Sequence, residues 1–124
     1  MAKRKNILII DDEVSWLHAV SHTLRDHGFK VKEAMSAIEA LDVLIKFKPD
    51  LIVSDLRMPD MNGFELLDKI RQMPKNLTTP VVFLSAIEDF AAKKVAKDMG
   101  AADCVAKPYH KDEILPLLSK YLPQ

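Results

Sequence analysis

The feature that most constrains the fold is a repeated alternation of short apolar runs with stretches of helical periodicity. The clearest runs are residues 7–10, 51–54 and 81–84, and each is followed directly by a polar residue. Runs of this length, without polar alternation, are typical of strands that are buried on both faces of a parallel sheet. Two weaker segments, residues 29–34 and 101–106, complete a set of five predicted strands.

A predicted helix follows each of the five strands. Val14 begins a pattern of apolar residues at helical spacing that continues to Gly28. Ser36 and Glu39 have the form of a capping box, and the second helix is expected to reach about Phe47. Gly63 opens the third helix.

Two further helices complete the pattern. Glu88 and Asp89 favour the start of the fourth helix, which Gly100 ends as a C-cap. The apolar residues of segment 114–122 give the face of the fifth helix. Pro116 lies inside that segment, where a proline costs roughly 3 kcal/mol unless the helix starts late or bends.

Strands and helices in strict alternation predict one α/β domain over residues 1–124. The expected fold is a doubly wound (βα)5, flavodoxin-like sheet of five parallel strands, with right-handed crossovers and helices on both faces. In the strand order 2-1-3-4-5, the first and third strands are neighbours at the point where ligands bind.

Composition excludes several classes of function. Eighteen basic and eighteen acidic residues leave no net field, so neither direct nucleic-acid binding nor membrane-surface binding is expected. The start of the chain has no long apolar segment, and Lys3, Arg4 and Lys5 are interpreted as a solvated leader. The single cysteine, Cys104, excludes an intrachain disulfide and fits a reducing compartment, which predicts a cytoplasmic protein.

Polar side chains follow four of the five predicted strands. Asp11 and Asp12 follow the first strand, Asp55 the third, Ser85 the fourth and Lys107 the fifth. Carboxylates that lie next to one another repel unless a positive charge lies between them, and Mg²⁺ prefers oxygen ligands. The sequence therefore predicts a crevice suited to phosphoryl transfer onto Asp55, with a metal ion and Lys107 neutralising charge and Ser85 donating a hydrogen bond.

In their order and spacing these motifs resemble the receiver domain of two-component response regulators over essentially the whole chain. The matching motifs are Asp11-Asp12, Ser-Asp-Leu-Arg-Met-Pro-Asp-Met-Asn-Gly around Asp55, Ser85-Ala86 and Lys107-Pro108-Tyr109. The resemblance implies that Asp55 is the phosphoacceptor of a phosphorelay. It also implies that Asp12, Asp55 and the main-chain carbonyl of Arg57 hold Mg²⁺, with Mn²⁺ as a substitute, and that Asp11 acts through water.

The resemblance further assigns residues that tune or transmit the signal. Arg57 and Ile87 are expected to set the lifetime of the phosphoryl group, and Ala86 lies beside the hydroxyl residue of the switch. Cys104 stands where receivers commonly have an aromatic residue, and its thiol is too small to sweep a large volume on rotating. The family also usually has a cis bond before the proline, here between Lys107 and Pro108.

The function implied is a signalling switch rather than an enzyme acting on external substrates, with only self-catalysed phosphorylation and autodephosphorylation. Its expected donor is a sensor histidine kinase or a histidine phosphotransfer protein. Its expected reader is an output protein or a fused output domain on the face of the fourth helix, fifth strand and fifth helix. The chain is expected to be a monomer or a weak, phosphorylation-dependent dimer. It is compatible with either a stand-alone receiver or a part of a longer regulator.

Other interpretations remain open at this point. A phosphorylation-independent interaction module would keep the fold, whereas a phosphatase or mutase would favour an acid where Arg57 stands. A flavin site would favour hydroxyls and glycines after the first strand. His18 and His22 have a helical spacing that can bind metal, but no third ligand is evident. Trp16, the only tryptophan, is placed by hypothesis near the crevice mouth.

Overall fold

The computed structural model describes residues 4–86, 90–108 and 110–122. Its centre is one sheet of five parallel strands in the order β2-β1-β3-β4-β5, as the sequence predicts. The strands are β1 (Asn6–Ile10), β2 (Lys30–Ala34), β3 (Leu51–Asp55), β4 (Val81–Ser85) and β5 (Asp103–Ala106). The helices are α1 (Val14–Asp26), α2 (Ala37–Lys46), α3 (Gly63–Arg71), α4 (Phe90–Asp98) and α5 (Ile114–Ser119).

Helices cover both faces of the sheet, and the apolar runs of the strands supply both halves of the core. Leu8 and Ile10 of β1 face the side that holds α2, α3 and α4. Ile7 and Ile9 face the opposite side, with α1 and α5. Because successive strand residues point to opposite faces, a strand covered on both sides must be apolar throughout. This is why β1 reads as a continuous apolar run.

Local signals in the sequence set several helix ends. The Ser36 hydroxyl accepts a hydrogen bond from the Glu39 amide at 3.1 Å, and so caps the N-terminus of α2 as predicted. Gly100 follows the last turn of α4 with a φ of +96°, a conformation that favours glycine. Glu88 and Asp89, expected at the start of the fourth helix, lie outside the described residues.

The last helix differs from its predicted extent. A 3₁₀ turn (Lys111–Glu113) precedes α5, so Pro116 is only the third residue of the α-helix. An amide at that position has no partner within the α-helix, which removes most of the expected cost of proline. Because α5 ends at Ser119, Tyr121 and Leu122 pack on the core from beyond the helix rather than on its face.

Among the described residues, no helix is both long enough and apolar enough to cross a membrane.

Candidate functional site

The register of the sheet brings the predicted polar residues to one edge. Asp55 of β3 pairs with Leu84 of β4, so the next residue of β4, Ser85, reaches the same edge. The amide of Lys107 donates to the Ser85 carbonyl at 2.8 Å. Asp11 follows the last residue of β1, which is the neighbour of β3 in the sheet. The ends of four strands therefore form one crevice, as expected for a parallel α/β sheet.

Three carboxylates form the centre of this crevice. Asp11, Asp12 and Asp55 each present an oxygen, and these oxygens lie within 4.8 Å of one another. Asp11 is buried, Asp55 is partly buried and Asp12 is exposed, so the group opens towards solvent on one side. An all-oxygen set of this kind fits Mg²⁺, which binds through one or two carboxylates and keeps several waters.

Asp11 accepts a hydrogen bond on one oxygen and forms an ion pair through the other. The amide of Glu13 donates to Oδ1 at 2.8 Å, and Lys107 Nζ lies 2.7 Å from Oδ2. The Asp11 side chain is only 1% exposed, so this ion pair is shielded from water. These contacts leave the carboxylates of Asp12 and Asp55 as the less constrained pair in the cluster.

The electrostatics of Asp55 reflect this crowding. Burial, followed by the negative charge of Asp11, raises the pKa of Asp55 to about 6. Lys107 and the Arg57 amide partly oppose that rise, and Asp12 adds to it. The positive charge of Lys107 therefore does not neutralise the three carboxylates, and a bound divalent cation would stabilise their ionised forms.

The Lys107 side chain reaches the crevice as predicted, but the backbone that follows it differs from the expected conformation. The described residues contain no cis peptide bond, so the expected cis bond between Lys107 and Pro108 is absent. The long side chain spans the remaining distance to Asp11. Trp16 stands beside it, with its ring centroid 4.3 Å from Lys107 Nζ. The two border a cavity of about 250 Å³, which confirms the placement of Trp16 near the crevice mouth.

The remaining predicted residues lie around this centre. Ser85 is buried at the end of β4, while Ala86 is exposed and borders the same cavity as Lys107. Arg57 is exposed, and its amide contributes a hydrogen bond to Asp55. Cys104 is buried in β5, directly opposite Phe83 in the sheet. Ile87 lies outside the described residues.

Asp60 was missed by reasoning from the sequence. It lies in the loop between β3 and α3, and its carboxylate accepts from the amides of Ala37 at 3.3 Å and Ile38 at 2.8 Å. The Ile38 bond is the main reason that the pKa of Asp60 is lowered. Asp60 thus ties the loop that carries Arg57 to the N-terminus of α2. The order of residues along the chain gives no signal for such a contact.

A second unpredicted group joins β5 to α4 and to the segment that follows α5. The Tyr121 hydroxyl donates to Asp103 Oδ2 at 2.6 Å, which fastens the end of the chain beyond α5 to β5. Lys93 and Lys97 of α4 lie 3.3 and 3.8 Å from the other carboxylate oxygen. One carboxylate of β5 therefore contacts α4 and the segment after α5.

The two histidines of α1 do not form a metal site with the described residues. His18 lies 2.7 Å from Glu33, and His22 lies 3.3 Å from Asp26. The one group of three or more potential metal ligands in residues 4–86, 90–108 and 110–122 is the aspartate cluster.

Comparison with known proteins agrees with this geometry. The family model "Response regulator receiver domain" matches residues 7–119. Sporulation initiation phosphotransferase F of Bacillus subtilis is 30% identical over 119 residues, which cover 96% of this chain and 94% of that protein. The transcriptional regulatory protein KdpE of Mycobacterium tuberculosis is 39% identical over 90% of this chain, but the match spans only 48% of KdpE.

Solved structures show the same fold. The chemotaxis response regulator CheY4 of Vibrio cholerae has 33% identity and a TM-score of 0.90, with 97% of this chain and 100% of that chain covered. The non-phosphorylated HemR receiver domain from Leptospira biflexa has 29% identity and a TM-score of 0.86, with 98% of each chain covered. The chain belongs to the response regulator receiver domain family.

Proposed function

We propose that this receiver domain is a phosphoacceptor signalling switch and that Asp55 takes the phosphoryl group. The observation that carries the proposal is the crevice itself, in which the Asp55 carboxylate lies among two further carboxylates and the Lys107–Asp11 ion pair. Asp55 ends a buried strand, so its main chain is fixed while its side chain reaches solvent on one side. A nucleophile held this way meets an incoming phosphorus atom with little loss of freedom.

The metal ligands that we propose are the side chains of Asp12 and Asp55 and the main-chain carbonyl of Arg57, with Asp11 acting through water. The choice rests on the oxygen-only donor set, on the Glu13 amide that donates to Asp11 Oδ1 and on the ion pair between Asp11 and Lys107. Mg²⁺ is the expected ion, and Mn²⁺ would accept the same ligands. When bound, the ion supplies positive charge to the oxygens of the transferring phosphoryl group.

The reaction is a transfer between a donor and one carboxylate oxygen. An oxygen of Asp55 forms a bond to phosphorus while the bond from phosphorus to the donor's histidine nitrogen breaks, and the imidazole keeps the electron pair. In the product, Lys107 leaves Asp11 to bind one phosphoryl oxygen, and the Ser85 hydroxyl donates to another. Hydrolysis by water returns Asp55 to its free form.

The partners follow from membership of the family. We expect a sensor histidine kinase or a histidine phosphotransfer protein as donor, and an output protein or a fused output domain as reader. Turnover of an external substrate, direct nucleic-acid binding and membrane binding are not expected. A cytoplasmic location and a monomeric or weakly dimeric state also stay predictions.

Signal transmission is proposed to use the face formed by α4, β5 and α5. Arg57 and Ile87 are expected to tune the lifetime of the phosphoryl group, and Ala86 is expected to move with Ser85. Cys104 is buried against the core, and its small side chain cannot sweep out the volume of an aromatic ring. We therefore expect the switch in this chain to involve backbone shifts around Ala86 more than the rotation of residue 104.

The test uses acetyl phosphate as donor and the intact mass of the protein as readout. With Mg²⁺ present, the wild type is expected to gain one phosphoryl group, whereas Asp55→Asn is expected to gain none. Asp42→Asn, which alters an exposed acid on α2, is the matched control and should behave as the wild type. Equal labelling of wild type and Asp55→Asn, or no labelling of either, would contradict the proposal. If an identified partner binds the phosphorylated and unphosphorylated protein with equal affinity, the phosphorylation-independent interaction module would be favoured.

A further inference from the structure

We propose that Trp16 is a positioning residue that holds the ammonium group of Lys107 inside the crevice. The contact itself is independent of function, but its role in phosphoryl transfer rests on the function proposed above. Neither Asp55 nor the metal ligands are part of the contact. It is made by a helix on one side of the sheet and by the loop after β5.

The geometry is that of a cation over an aromatic face. Lys107 Nζ lies 4.3 Å from the centroid of the Trp16 ring and 2.7 Å from Asp11 Oδ2. The Lys107 side chain is only 16% exposed, so water competes weakly for its charge. A partly desolvated ammonium group within about 6 Å of a tryptophan ring is attracted by the negative face of the ring.

Lys107 needs such a constraint because its side chain is long and flexible. A lysine ammonium is a mobile point charge on a four-carbon stem with several rotatable bonds, so holding it in one place costs side-chain entropy. In this structure the ring of Trp16 and the carboxylate of Asp11 hold it from two directions. Without the ring, the cavity of about 250 Å³ next to Lys107 would allow the ammonium to turn towards solvent.

The constraint matters most when a dication occupies the carboxylate cluster. Positive charge beside Asp11 weakens the attraction between Asp11 and Lys107. The ring of Trp16 carries no ligand atom for a hard cation, so its contact with Lys107 remains. Trp16 therefore keeps the ammonium near Asp55 when the Asp11 pair holds it less tightly.

Packing alone does not explain a tryptophan at this position. The ring lies at the border of the core on the α1 side, next to buried apolar residues. Its buried indole N–H has no acceptor among the residues that the structure describes. An aliphatic side chain would cover the same core without burying an unmatched donor. The aromatic face towards Lys107 is the property that such a side chain lacks.

The first test measures the contact in metal-free protein. Because Trp16 is the only tryptophan, intrinsic fluorescence reports its surroundings alone. Lys107→Met is expected to change the emission intensity or wavelength, whereas Lys94→Met, an exposed lysine on α4, is expected to leave it unchanged. Identical spectra for wild type and Lys107→Met would overturn the proposed contact. This outcome does not depend on the result of the phosphorylation assay.

The second test is a double-mutant cycle on unfolding by urea, followed by circular dichroism without metal. Trp16→Leu and Lys107→Met are expected to be non-additive, with a coupling of roughly two- to tenfold in the unfolding equilibrium constant. Trp16→Phe, which keeps an aromatic face, should retain part of that coupling. Additive effects of the two substitutions would overturn the proposal, since a purely structural tryptophan does not depend on Lys107.

The third test measures the rate of labelling by acetyl phosphate with Mg²⁺. Trp16→Leu is expected to label roughly three- to tenfold more slowly than the wild type, and Trp16→Phe should recover most of the loss. Equal slowing in both variants, or no slowing in Trp16→Leu, would overturn the positioning role. A wild type that does not label at all would instead contradict the proposed function, and the first two tests would still decide the contact.

Discussion

Removing the Tyr121 hydroxyl tests how the end of the chain is fastened to β5. Tyr121→Phe keeps the ring but deletes the donor to Asp103 Oδ2, a bond of 2.6 Å. The acceptor side chain is only 14% exposed, so water replaces the lost donor poorly. The free energy of unfolding is expected to fall by roughly 1.5–3 kcal/mol, the usual range for a hydrogen bond to a charged group.

This loss is large enough to measure by two methods. A chain of 124 residues has an unfolding entropy of about 0.26 kcal/mol/K, so Tm should fall by roughly 6–12 °C. Urea unfolding followed by circular dichroism gives the free energy directly. Asp98→Asn is the control, because it alters an exposed acid that pairs with Lys94 at 3.5 Å, and it should cost less than about 0.5 kcal/mol.

The pH dependence of the loss identifies its cause. Burial acts to raise the pKa of Asp103, but the bonds from Tyr121 and the Cys104 amide, with the charge of Lys93, lower it on balance. The ionised carboxylate therefore stabilises the fold above its ordinary pKa of 3.8, and this contribution is lost as pH falls through the lower folded value.

Tyr121 titrates at the opposite end of the range. Burial, followed by the bond to Asp103, raises the pKa of Tyr121 to about 12. Its contribution is complete below the ordinary pKa of 10.0 and is lost as pH rises through about 12. The gap between wild type and Tyr121→Phe should therefore be constant from about pH 5 to about pH 9 and shrink on either side. No gap at neutral pH, or an undiminished gap in acid, would refute this reasoning.

Three further substitutions follow from the structure. Asp55→Asn should stabilise the metal-free protein on the order of 1 kcal/mol at neutral pH, because the folded state binds the Asp55 proton more tightly than the unfolded chain does. This penalty of the wild type grows as pH rises from the ordinary pKa of 3.8 and is complete above about 6, so a gain that persists below 3.8 would contradict the reasoning. Gly63→Ala should destabilise by about 1–3 kcal/mol, since a Cβ there would lie 2.7 Å from the Phe83 ring, and unchanged urea unfolding would contradict it. Asp60→Ala should lower Tm at neutral pH but much less in acid, where the carboxylate that accepts from the amides of α2 is protonated. An equal fall in Tm at neutral and acid pH would exclude a capping role for the Asp60 carboxylate.

The sheet and its crevice could be predicted because they depend on local patterns. Apolar runs such as 7–10 and 81–84 specify strands covered on both faces, and alternation with helices specifies a parallel sheet. These patterns do not by themselves give the strand order 2-1-3-4-5, which rests partly on the resemblance to receiver domains. Once that order is given, Asp11, Asp55 and Lys107 must reach the same edge. The carboxylate cluster thus follows from topology, without any knowledge of side-chain packing.

The contacts that hold the crevice in place could not be predicted in the same way. Asp60 binds amides more than 20 residues earlier in the chain, and Tyr121 binds a carboxylate 18 residues away. Such contacts depend on how the helices and loops pack against the sheet. The spacing of apolar residues within one element carries no information about that packing. The start of α5 was uncertain for a related reason, since only the preceding 3₁₀ turn places Pro116 where a missing amide costs little.

The central claim is that the Asp55 carboxylate itself receives the phosphoryl group. Borohydride reduction after treatment with acetyl phosphate and Mg²⁺ converts an aspartyl phosphate into homoserine, and peptide mass spectrometry then locates the altered residue. The account predicts homoserine at position 55 alone, and none when the metal is removed by a chelator. Homoserine at Asp11 or Asp12, or its absence from every position with Mg²⁺ present, would contradict the account.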